Sequence, residues 1–495
     1  MDKHQNPSLW RWAGDCPTLH PEVTKDCILP DLYPDIHKIL YTAADCVAGK
    51  TVLQSGKVLT AGVLHCKVLF ADEEGELHEV HFQMDYDGQA PYSAEDGEEC
   101  LAAQSDLESI TARALNPRKL SLRAKLTVTP MLFYQCPDQP RMASELSDVV
   151  LEKKLCSFTA WQISTWGEQG IEAGEDLSLS HESPMGRLIY SDLTLQAQSC
   201  NAGEGEVRFS GNGVLSLLYT TPEGALRTAD LSFPIQSSVR GNVTPDGLCK
   251  VTLTPETVSV VLSEDATGEV RGVELDFTYS IQVTVAKRMI SVRPVDCYSV
   301  SAPTKAEEET VELLSDLRPV SREFSRNMEG DSDGMTDLLK GFARVWVDAR
   351  EKTSQGVCLH CAAQVTLIGK DGAGAPMSLQ LVENFQLEGE TQLLCMESFS
   401  ATPSAVIDGD RVKVRLQGRM DAFGGSGGAC TYVGAVLPAA EQYRFAGDTM
   451  TLCYPARGET LWEIAKRYRT TQSALLSANN LGEGELPTVL LVPRG

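Results

Sequence analysis

Histidine and cysteine side chains are the first groups whose types and spacing could perform chemistry in this chain. His65 and Cys66 precede His78 and His81, and imidazole together with thiolate is a ligand set that zinc prefers. However, positions 78 and 81 point to opposite faces of a strand, and the similar stretches further along the chain lack equivalent residues. The pattern therefore favours an incidental arrangement, and the sequence predicts no metal site and no cofactor.

A Cys-x-x-Cys pair and a glycine run are two further candidates for a reactive site. Cys358 and Cys361 lie in a strand-like pattern without a following helix, which predicts one core thiol and one exposed thiol. The run Gly424–Gly428 lacks the Lys-Ser/Thr that completes a nucleotide phosphate loop, so it predicts a flexible hairpin tip. Paired carboxylates occur throughout the chain and none stands out. The sequence therefore predicts no catalytic residue, and the protein is not expected to be an enzyme.

Charge restricts the partners that this chain is expected to bind. Its 495 residues include 43 Lys and Arg against 68 Asp and Glu, a formal net charge of −25. Residues 448–495 carry five basic and five acidic side chains, so the rest of the chain carries the whole excess. An acidic surface is repelled by nucleic acid and by anionic lipid headgroups. Arg118 and Lys119, between two predicted strands, are expected to be solvated hairpin charges; the alternatives are pairing with the nearby acidic loop or with a neighbouring protomer.

The sequence also predicts a location. The first twenty residues contain several charges and no apolar core, so they do not form a signal peptide. No apolar run approaches the ~18 residues that a membrane span needs. The 15 cysteines are irregularly spaced, which is typical of reduced core thiols. We expect a cytoplasmic protein without a transmembrane span.

The last stretch of the chain, residues 448–495, has the most specific pattern. It predicts a strand over 450–454, two short helices and a second strand over 489–492. Thr460 and Glu463 have the spacing of a capping box, which satisfies free amides at a helix start. A Thr at 470 or 471 can cap the second helix, and Asn480 can end it because Asn tolerates left-handed backbone.

This stretch resembles the LysM family. The residues that carry the resemblance are Tyr454, Gly458–Leu461, Ile464, Ala465, Tyr468, Leu475, Asn480, Leu481, Leu490 and Val492–Pro493. LysM modules bind N-acetylglucosamine-containing polymers such as peptidoglycan and chitin, in a groove between the loop after the first strand and the loop after the second helix. The resemblance implies that the groove consists of Gly458, Glu459, Thr460, Leu461, Trp462, Asn480, Leu481 and Gly482.

The groove could take a sugar polymer or a protein. Glu459 stands where the family usually has Asp, and Pro487 stands where it usually has Gly. Both positions border the groove, so either ligand stays open. Leu461 lies on the apolar stripe of the first helix, whereas Trp462 lies off the stripe. Trp462 is therefore the better candidate for binding a ligand, provided that its side chain is exposed.

The remainder of the chain repeats a strand-rich pattern. Gly56–Gly62 is echoed 149 residues later by Gly205–Gly211, and more faintly by the stretch that begins at Gly356. This stride is too long for a solenoid repeat, so each copy is expected to be a domain. The predicted division is an N-terminal arm at 1–20, β repeats at 21–140, 145–300 and 308–436 with the third divergent, and a LysM domain at 448–495. The predicted fold class is mainly β: three tandem β-rich domains followed by a small α+β (βααβ) domain.

The repeated unit resembles the SPOCS family of clostridial spore-envelope proteins. Leu29–Asp31, Asp35–Leu40, Gly56–Gly62 and Asn116–Ala124 carry this resemblance. SPOCS repeats followed by one LysM module are similar to the architecture of spore-morphogenesis proteins. The resemblance implies a non-enzymatic scaffold on the forespore surface, in the mother-cell cytoplasm, whose LysM module engages the spore-coat morphogenetic ATPase. Free sheet edges would also permit self-association.

Two other classes of function stay open at this point. A peptidoglycan-binding accessory protein would use the LysM groove for its usual ligand and would have to reach the cell wall by a non-standard route. A phage tail or baseplate component is made in the cytoplasm and can carry a LysM module.

Overall fold

The computed structural model describes residues 9–12, 17–93, 98–179, 182–265, 267–389, 391–439, 450–481 and 486–493. It is mainly β: long antiparallel strands form three pairs of sheets, and a small module with two helices follows them. Within these residues, no helix is long and apolar enough to cross a membrane.

The first sheet pair covers residues 22–136. One of its sheets is the meander β3-β4-β5, and the other has β7 at its centre, with β6 on one edge and β2 on the opposite edge. Near its end β7 also pairs with β1, which joins the N-terminal arm to this sheet. The strands are β1 (Leu9–Trp12), β2 (Glu22–Ile28), β3 (Lys38–Gln54), β4 (Lys57–Ala71), β5 (Leu77–Pro91), β6 (Glu98–Asn116) and β7 (Lys119–Cys136).

The second sheet pair, residues 152–298, has the same strand order. It consists of the meander β10-β11-β12 and a sheet in which β14 lies between β13 and β9. A two-residue strand, β8 (Arg141–Met142), and a single 3₁₀ turn precede it. The strands are β9 (Glu152–Ser178), β10 (Arg187–Ala202), β11 (Glu206–Thr220), β12 (Leu226–Arg240), β13 (Leu248–Glu264) and β14 (Val270–Tyr298).

The third sheet pair, residues 304–438, follows the same plan. Its meander is β16-β17-β18, and in its second sheet β20 lies between β19 and β15. The strands are β15 (Thr304–Asp331), β16 (Met335–Lys352), β17 (Val357–Asp371), β18 (Pro376–Glu388), β19 (Leu393–Asp408) and β20 (Arg411–Pro438). The module that follows contains β21 (Met450–Cys453), α1 (Leu461–Tyr468), α2 (Gln472–Asn479) and β22 (Leu490–Pro493).

Alternating apolar residues explain why each sheet buries one face. Along β7, Leu120, Leu122 and Ala124 are buried while the residues between them are less so. The period of two places these side chains on one face, which packs against the meander sheet of the same pair. The corresponding strands β14 and β20 show the same alternation at their starts.

The three sheet pairs also share apolar clusters with one another. One cluster combines Phe133 of the first pair, Ile163 of the second and Phe423 of the third. A second shared cluster contains an aromatic contact in which Tyr41 stacks on Phe342 with ring centroids 4.1 Å apart. The sheet pairs therefore pack into one body, and the prediction that each repeat is an independent domain stays a prediction.

Buried charges lie in the same contacts between sheet pairs. Lys67 of the first pair is almost fully buried, and its ammonium lies 2.8 Å from the Asp192 carboxylate of the second pair. The Lys250 ammonium of the second pair donates to the main-chain carbonyls of Met396 and Asp421 in the third pair. These bonds satisfy charges that would otherwise be costly to bury.

Two sequence predictions for the third sheet pair are wrong. The glycine run at 424–428 is not a hairpin tip, because it lies within β20 and pairs with β15. A Cβ on Gly425 would lie 2.1 Å from the main-chain oxygen of Asp316, so glycine is required where these strands approach. Cys358 is not exposed but buried together with Cys361, because side chains on both faces of β17 are buried.

Arg118 is not a solvated hairpin charge either. Its guanidinium donates to the main-chain carbonyls of Tyr33 and Pro30, at 2.5 and 2.9 Å, and lies 3.3 Å from the Asp35 carboxylate. It therefore fixes the loop between β2 and β3 against the β6-β7 turn. Arg271 contacts the main-chain carbonyls of Leu179 and Glu182 in the second sheet pair in the same manner.

Candidate functional site

The C-terminal module builds its site from two short helices packed on a two-stranded sheet. β21 pairs with β22, and Cys453, Leu490 and Val492 face the helices. From α1 and α2, the side chains of Ile464 and Leu475 complete this small core. The order strand, helix, helix, strand agrees with the sequence prediction for this stretch.

Local hydrogen bonds set the start of α1. The Thr460 hydroxyl accepts from the main-chain N–H of Glu463 at 3.3 Å, and the Glu463 carboxylate accepts from the main-chain N–H of Thr460 at 2.7 Å. These reciprocal bonds form the predicted capping box. Because the carboxylate accepts bonds from Thr460, the pKa of Glu463 is lowered.

The first of the two loops that are predicted to border the groove, residues 458–461, turns at a glycine. Gly458 has a φ of +83°, in the left-handed region that a residue with a Cβ adopts at a cost. The Glu459 carboxylate next to it accepts from the main-chain N–H of Ala456 at 2.9 Å and lies 2.8 Å from the Arg467 guanidinium. The Glu459 side chain therefore stabilises its own loop, and its negative charge is paired with Arg467 within the module.

The second groove loop begins where α2 ends. Asn480 adopts left-handed backbone with a φ of +50°, as the sequence predicts. The neighbouring Asn479 amide donates to the main-chain carbonyls of Leu475 and Leu491 at 2.8 and 2.7 Å, and so joins α2 to β22. Leu481 is partly buried against the module core. Gly482, the last predicted groove residue, lies outside the described residues.

Trp462 is placed differently from the sequence hypothesis. Its side chain is only 7% exposed, because the ring packs edge-on against Tyr298 of β14 with centroids 5.0 Å apart. The indole N–H donates to the Asp296 carboxylate at 2.7 Å, and the Lys466 ammonium donates to the same carboxylate at 2.6 Å. The hypothesis that Trp462 binds a ligand required an exposed side chain, and this condition is not met. The ring instead packs the module against the second sheet pair.

Tyr298 forms a further hydrogen bond between the second sheet pair and the module. Its hydroxyl donates to the main-chain carbonyl of Thr470, between the two helices, at 2.7 Å. Burial raises the pKa of Tyr298 to about 12. Sequence reasoning missed both Asp296 and Tyr298, because Trp462 and Asp296 are 166 residues apart in the chain. No local pattern signals a pairing over such a separation.

Comparison with known proteins decides what the module is. Residues 456–487 match the LysM domain family. The match contains both helices, α1 and α2, but it is a small part of the chain and identifies the module alone. A LysM domain is a binding module, and its presence indicates binding of peptidoglycan or another N-acetylglucosamine-containing polymer.

The other comparisons do not extend this identification to the body. No curated protein matches the chain. A solved structure of Pseudomonas aeruginosa OccK2 (OpdF) in complex with glucuronate aligns at 9% identity, over 84% of this chain and 96% of that chain. The TM-score is 0.10, so this likeness carries no argument about fold or function.

The LysM module also presents an apolar surface away from its helices. On the outer face of its sheet Met450 and Leu452 are 58% and 59% exposed, and Tyr454 beyond β21 is 71% exposed. Val489, next to β22, is exposed as well. This surface lies on the face opposite to the one that packs on the helices, so it is separate from the contact that Trp462 makes with the second sheet pair.

The histidine and cysteine candidates do not come together in a metal centre. His78 lies 2.9 Å from the Asp72 carboxylate, and His81 lies 3.0 Å from the Glu79 carboxylate. Among the residues that the structure describes, no group of three or more His, Cys, Asp or Glu side chains has the geometry of a metal site. Gly424–Gly428 also has the letters Gly-x-Ser-x-Gly, but Ser426 lies in mid-strand rather than at the strand-to-helix turn of a hydrolase nucleophile.

A cavity of about 520 Å³ lies between the first and third sheet pairs. Thr129 and Met131 line it from one side, and Arg350 and Glu397 line it from the other. The Arg350 guanidinium lies 2.9 Å from the Glu397 carboxylate, whose side chain is fully buried. This ion pair lies in the wall of the cavity, which is the arrangement of a structural junction.

Proposed function

We propose that this chain is a non-enzymatic scaffold of the bacterial spore envelope, which docks through its LysM module to the spore-coat morphogenetic ATPase on the forespore surface. The observation that carries the proposal is the architecture: three sheet pairs with one strand order, followed by a single LysM module. The SPOCS resemblance of the first repeat supports this assignment. In this function the body provides shape and contacts, and the module provides the docking site in the mother-cell cytoplasm.

Two features of the module support a protein partner. The Glu459 carboxylate at the groove is already paired with Arg467, so it is less free to bind sugar hydroxyls. The outer sheet face, with Met450, Leu452 and Tyr454, offers exposed apolar area of the kind that protein interfaces bury. Among the described residues β21 pairs with β22 alone, so the other edge of β21 provides main-chain groups that a partner strand could pair with.

The second candidate function is binding of peptidoglycan or another N-acetylglucosamine-containing polymer. The LysM match at residues 456–487 favours it directly. Gly458, Thr460 and Asn480, which the LysM resemblance assigns to the groove, are all exposed. For this second function the protein must reach the compartment that contains the polymer. It does not need to bind the ATPase.

One paired experiment distinguishes these candidates with the full-length chain. The first arm measures cosedimentation with purified peptidoglycan, and the second measures binding to the purified coat ATPase. We expect saturable ATPase binding and no cosedimentation. Cosedimentation without ATPase binding would contradict the scaffold proposal and support the polymer-binding candidate.

A matched pair of variants shows whether the groove mediates the interaction. Glu459→Arg removes the ion pair to Arg467 and places a second cation at the groove. If the ligand occupies the groove, Glu459→Arg should lower the affinity of the chain for that ligand by about tenfold or more. A tenfold loss corresponds to ~1.4 kcal/mol of binding free energy. Lys413→Gln changes an exposed charge on β20 and is expected to leave binding unchanged. Equal binding by both variants would exclude the groove and leave the outer sheet face as the docking surface.

A further inference from the structure

Two cysteines face each other between the two sheets of the second pair. Cys200 lies near the end of β10, in the meander sheet, and Cys249 lies at the start of β13, in the opposite sheet. The Cys200 thiol donates to the main-chain oxygen of Cys249, and its Sγ lies 2.8 Å from that oxygen. The Cys200 sulfur therefore already lies against residue 249 of the opposite sheet.

The two thiols differ in pKa. A hydrogen bond with the Cys249 side chain lowers the pKa of Cys200, and the nearby Lys250 ammonium acts in the same direction. The same bond, together with burial, raises the pKa of Cys249. Cys200 is consequently the better nucleophile of the two, and Cys249 stands next to it as a resolving thiol.

Access separates this pair from the other neighbouring thiols. Cys200 and Cys249 are both partly exposed. Cys27 and Cys66 are neighbours in the core of the first sheet pair, and both are buried. Cys136 is likewise near Cys430 of the third sheet pair, and both of these thiols are buried. A small oxidant in solution therefore reaches the thiols of the second sheet pair more readily than these.

We propose that Cys200 and Cys249 form a reversible disulfide site that reacts with low-molecular-weight disulfides of the glutathione type. The Cys200 thiolate attacks one sulfur of the small disulfide, which forms a mixed disulfide and releases one small thiolate. Cys249 then attacks the Cys200 sulfur, forms the intramolecular bond and releases the second small thiolate. The two protein thiols lose two electrons and two protons, and one small disulfide is reduced to two thiols.

The disulfide would connect the two sheets of the second pair at a point that also contacts the third pair. Lys250 follows Cys249 directly, and its ammonium donates to main-chain carbonyls of the third pair, including that of Asp421. A bond at Cys249 thus fixes the strand end from which this contact between sheet pairs originates. Reversible disulfides of this kind, rather than permanent ones, are the form that occurs in reducing compartments.

The test uses the full-length, folded chain and oxidised glutathione. After incubation, free thiols are blocked with N-ethylmaleimide and tryptic peptides are identified by mass spectrometry. We expect a cross-linked peptide pair joining Cys200 to Cys249, lost again after dithiothreitol. Cys156, which is exposed, is expected to carry a mixed disulfide with glutathione. A mixed disulfide at Cys200 without the cross-link would overturn the proposal.

Three variants resolve the order of the steps. Cys249→Ser is expected to stop at the mixed disulfide on Cys200, and Cys200→Ser is expected to leave Cys249 unmodified. Cys156→Ser serves as the control and should form the cross-link at the rate of the unmodified chain. Circular dichroism of each variant establishes that it is folded. If Cys249 in the Cys200→Ser variant reacts as fast as Cys200 does, the assigned roles are wrong.

Discussion

The LysM module and the three-sheet-pair body are stabilised over very different distances along the chain. In the module, Thr460 caps a helix with Glu463, and Asn479 joins α2 to a strand twelve residues away. In the body, Phe133 and Phe423 belong to one cluster although they are almost three hundred residues apart in the chain. Structure that depends on neighbours in sequence is visible in the sequence, whereas structure that depends on distant partners is not.

The first test of this comparison is the shared apolar cluster of the body. Phe423 is buried where all three sheet pairs meet, so Phe423→Ala should lower the free energy of unfolding by about 4 kcal/mol. Calorimetry should show that all three sheet pairs unfold at the lower temperature together. Val406→Ala, at an exposed position of β19, is the matched control and should change little. If the third sheet pair unfolded alone, in a separate transition at lower temperature, the conclusion that the three sheet pairs form one body would be contradicted.

The second test separates the module from the body. Asp296→Asn weakens the bonds from the Trp462 indole and the Lys466 ammonium, and should cost about 2 kcal/mol at this contact. Hydrogen exchange should therefore speed up in α1 while β3 and β10 keep their protection. Asp408→Asn, which changes an exposed carboxylate paired with Lys413, is the control. Unchanged exchange in α1 would mean that Asp296 does not hold the module.

A pH-dependent test concerns the buried charges between sheet pairs. Burial and the neighbouring Glu397 raise the pKa of Asp106 from 3.8 to about 7, although Arg350, Gln104 and Lys250 act in the opposite direction. Between these two pH values the folded chain holds a proton that the unfolded chain has lost. Stability therefore falls as the pH rises through this window.

Asp106→Asn removes this ionisation. At pH 7.5 the variant should be more stable than the unmodified chain, by on the order of 2 kcal/mol. The gain should shrink towards zero near pH 4, where both side chains are neutral. Denaturant unfolding at several pH values gives the comparison, and Asp408→Asn is again the control. A gain that is the same at every pH would show that the effect is not due to ionisation.

The smallest expected effect is local to the module. Thr460→Ala removes the side-chain acceptor of the capping box and should cost about 1 kcal/mol. Thr460→Ser keeps the hydroxyl and should be close to neutral. Thermal unfolding of the module, followed by exchange of the α1 amides, measures both variants. Equal losses in both would show that the hydroxyl is not the stabilising group.

The same distinction explains which sequence predictions succeeded. The capping box and the left-handed Asn480 were predictable because the chemistry of each lies within a few residues. The exposure of Trp462 and the role of Arg118 were not, because their partners, Asp296 and Tyr33, are distant in the chain. The glycine run of β20 misled the prediction, since glycine marks both loops and strands that approach closely.

For the body, alternation predicted strands and a mainly β fold, but it could not predict the pairing. Leu120, Leu122 and Ala124 indicate a strand with one buried face, and the structure has this face in the first core. The repeat of about 150 residues suggested copies of one unit. It contained no signal for the packing of Tyr41 on Phe342, which joins the first copy to the third.

The most direct test of the central claim is the dissociation constant of the full-length chain for the coat ATPase, measured beside its cosedimentation with peptidoglycan. Our account predicts saturable binding of the ATPase and no binding of the polymer. Polymer binding with no measurable affinity for the ATPase would contradict the scaffold function and identify the chain as a polymer-binding protein.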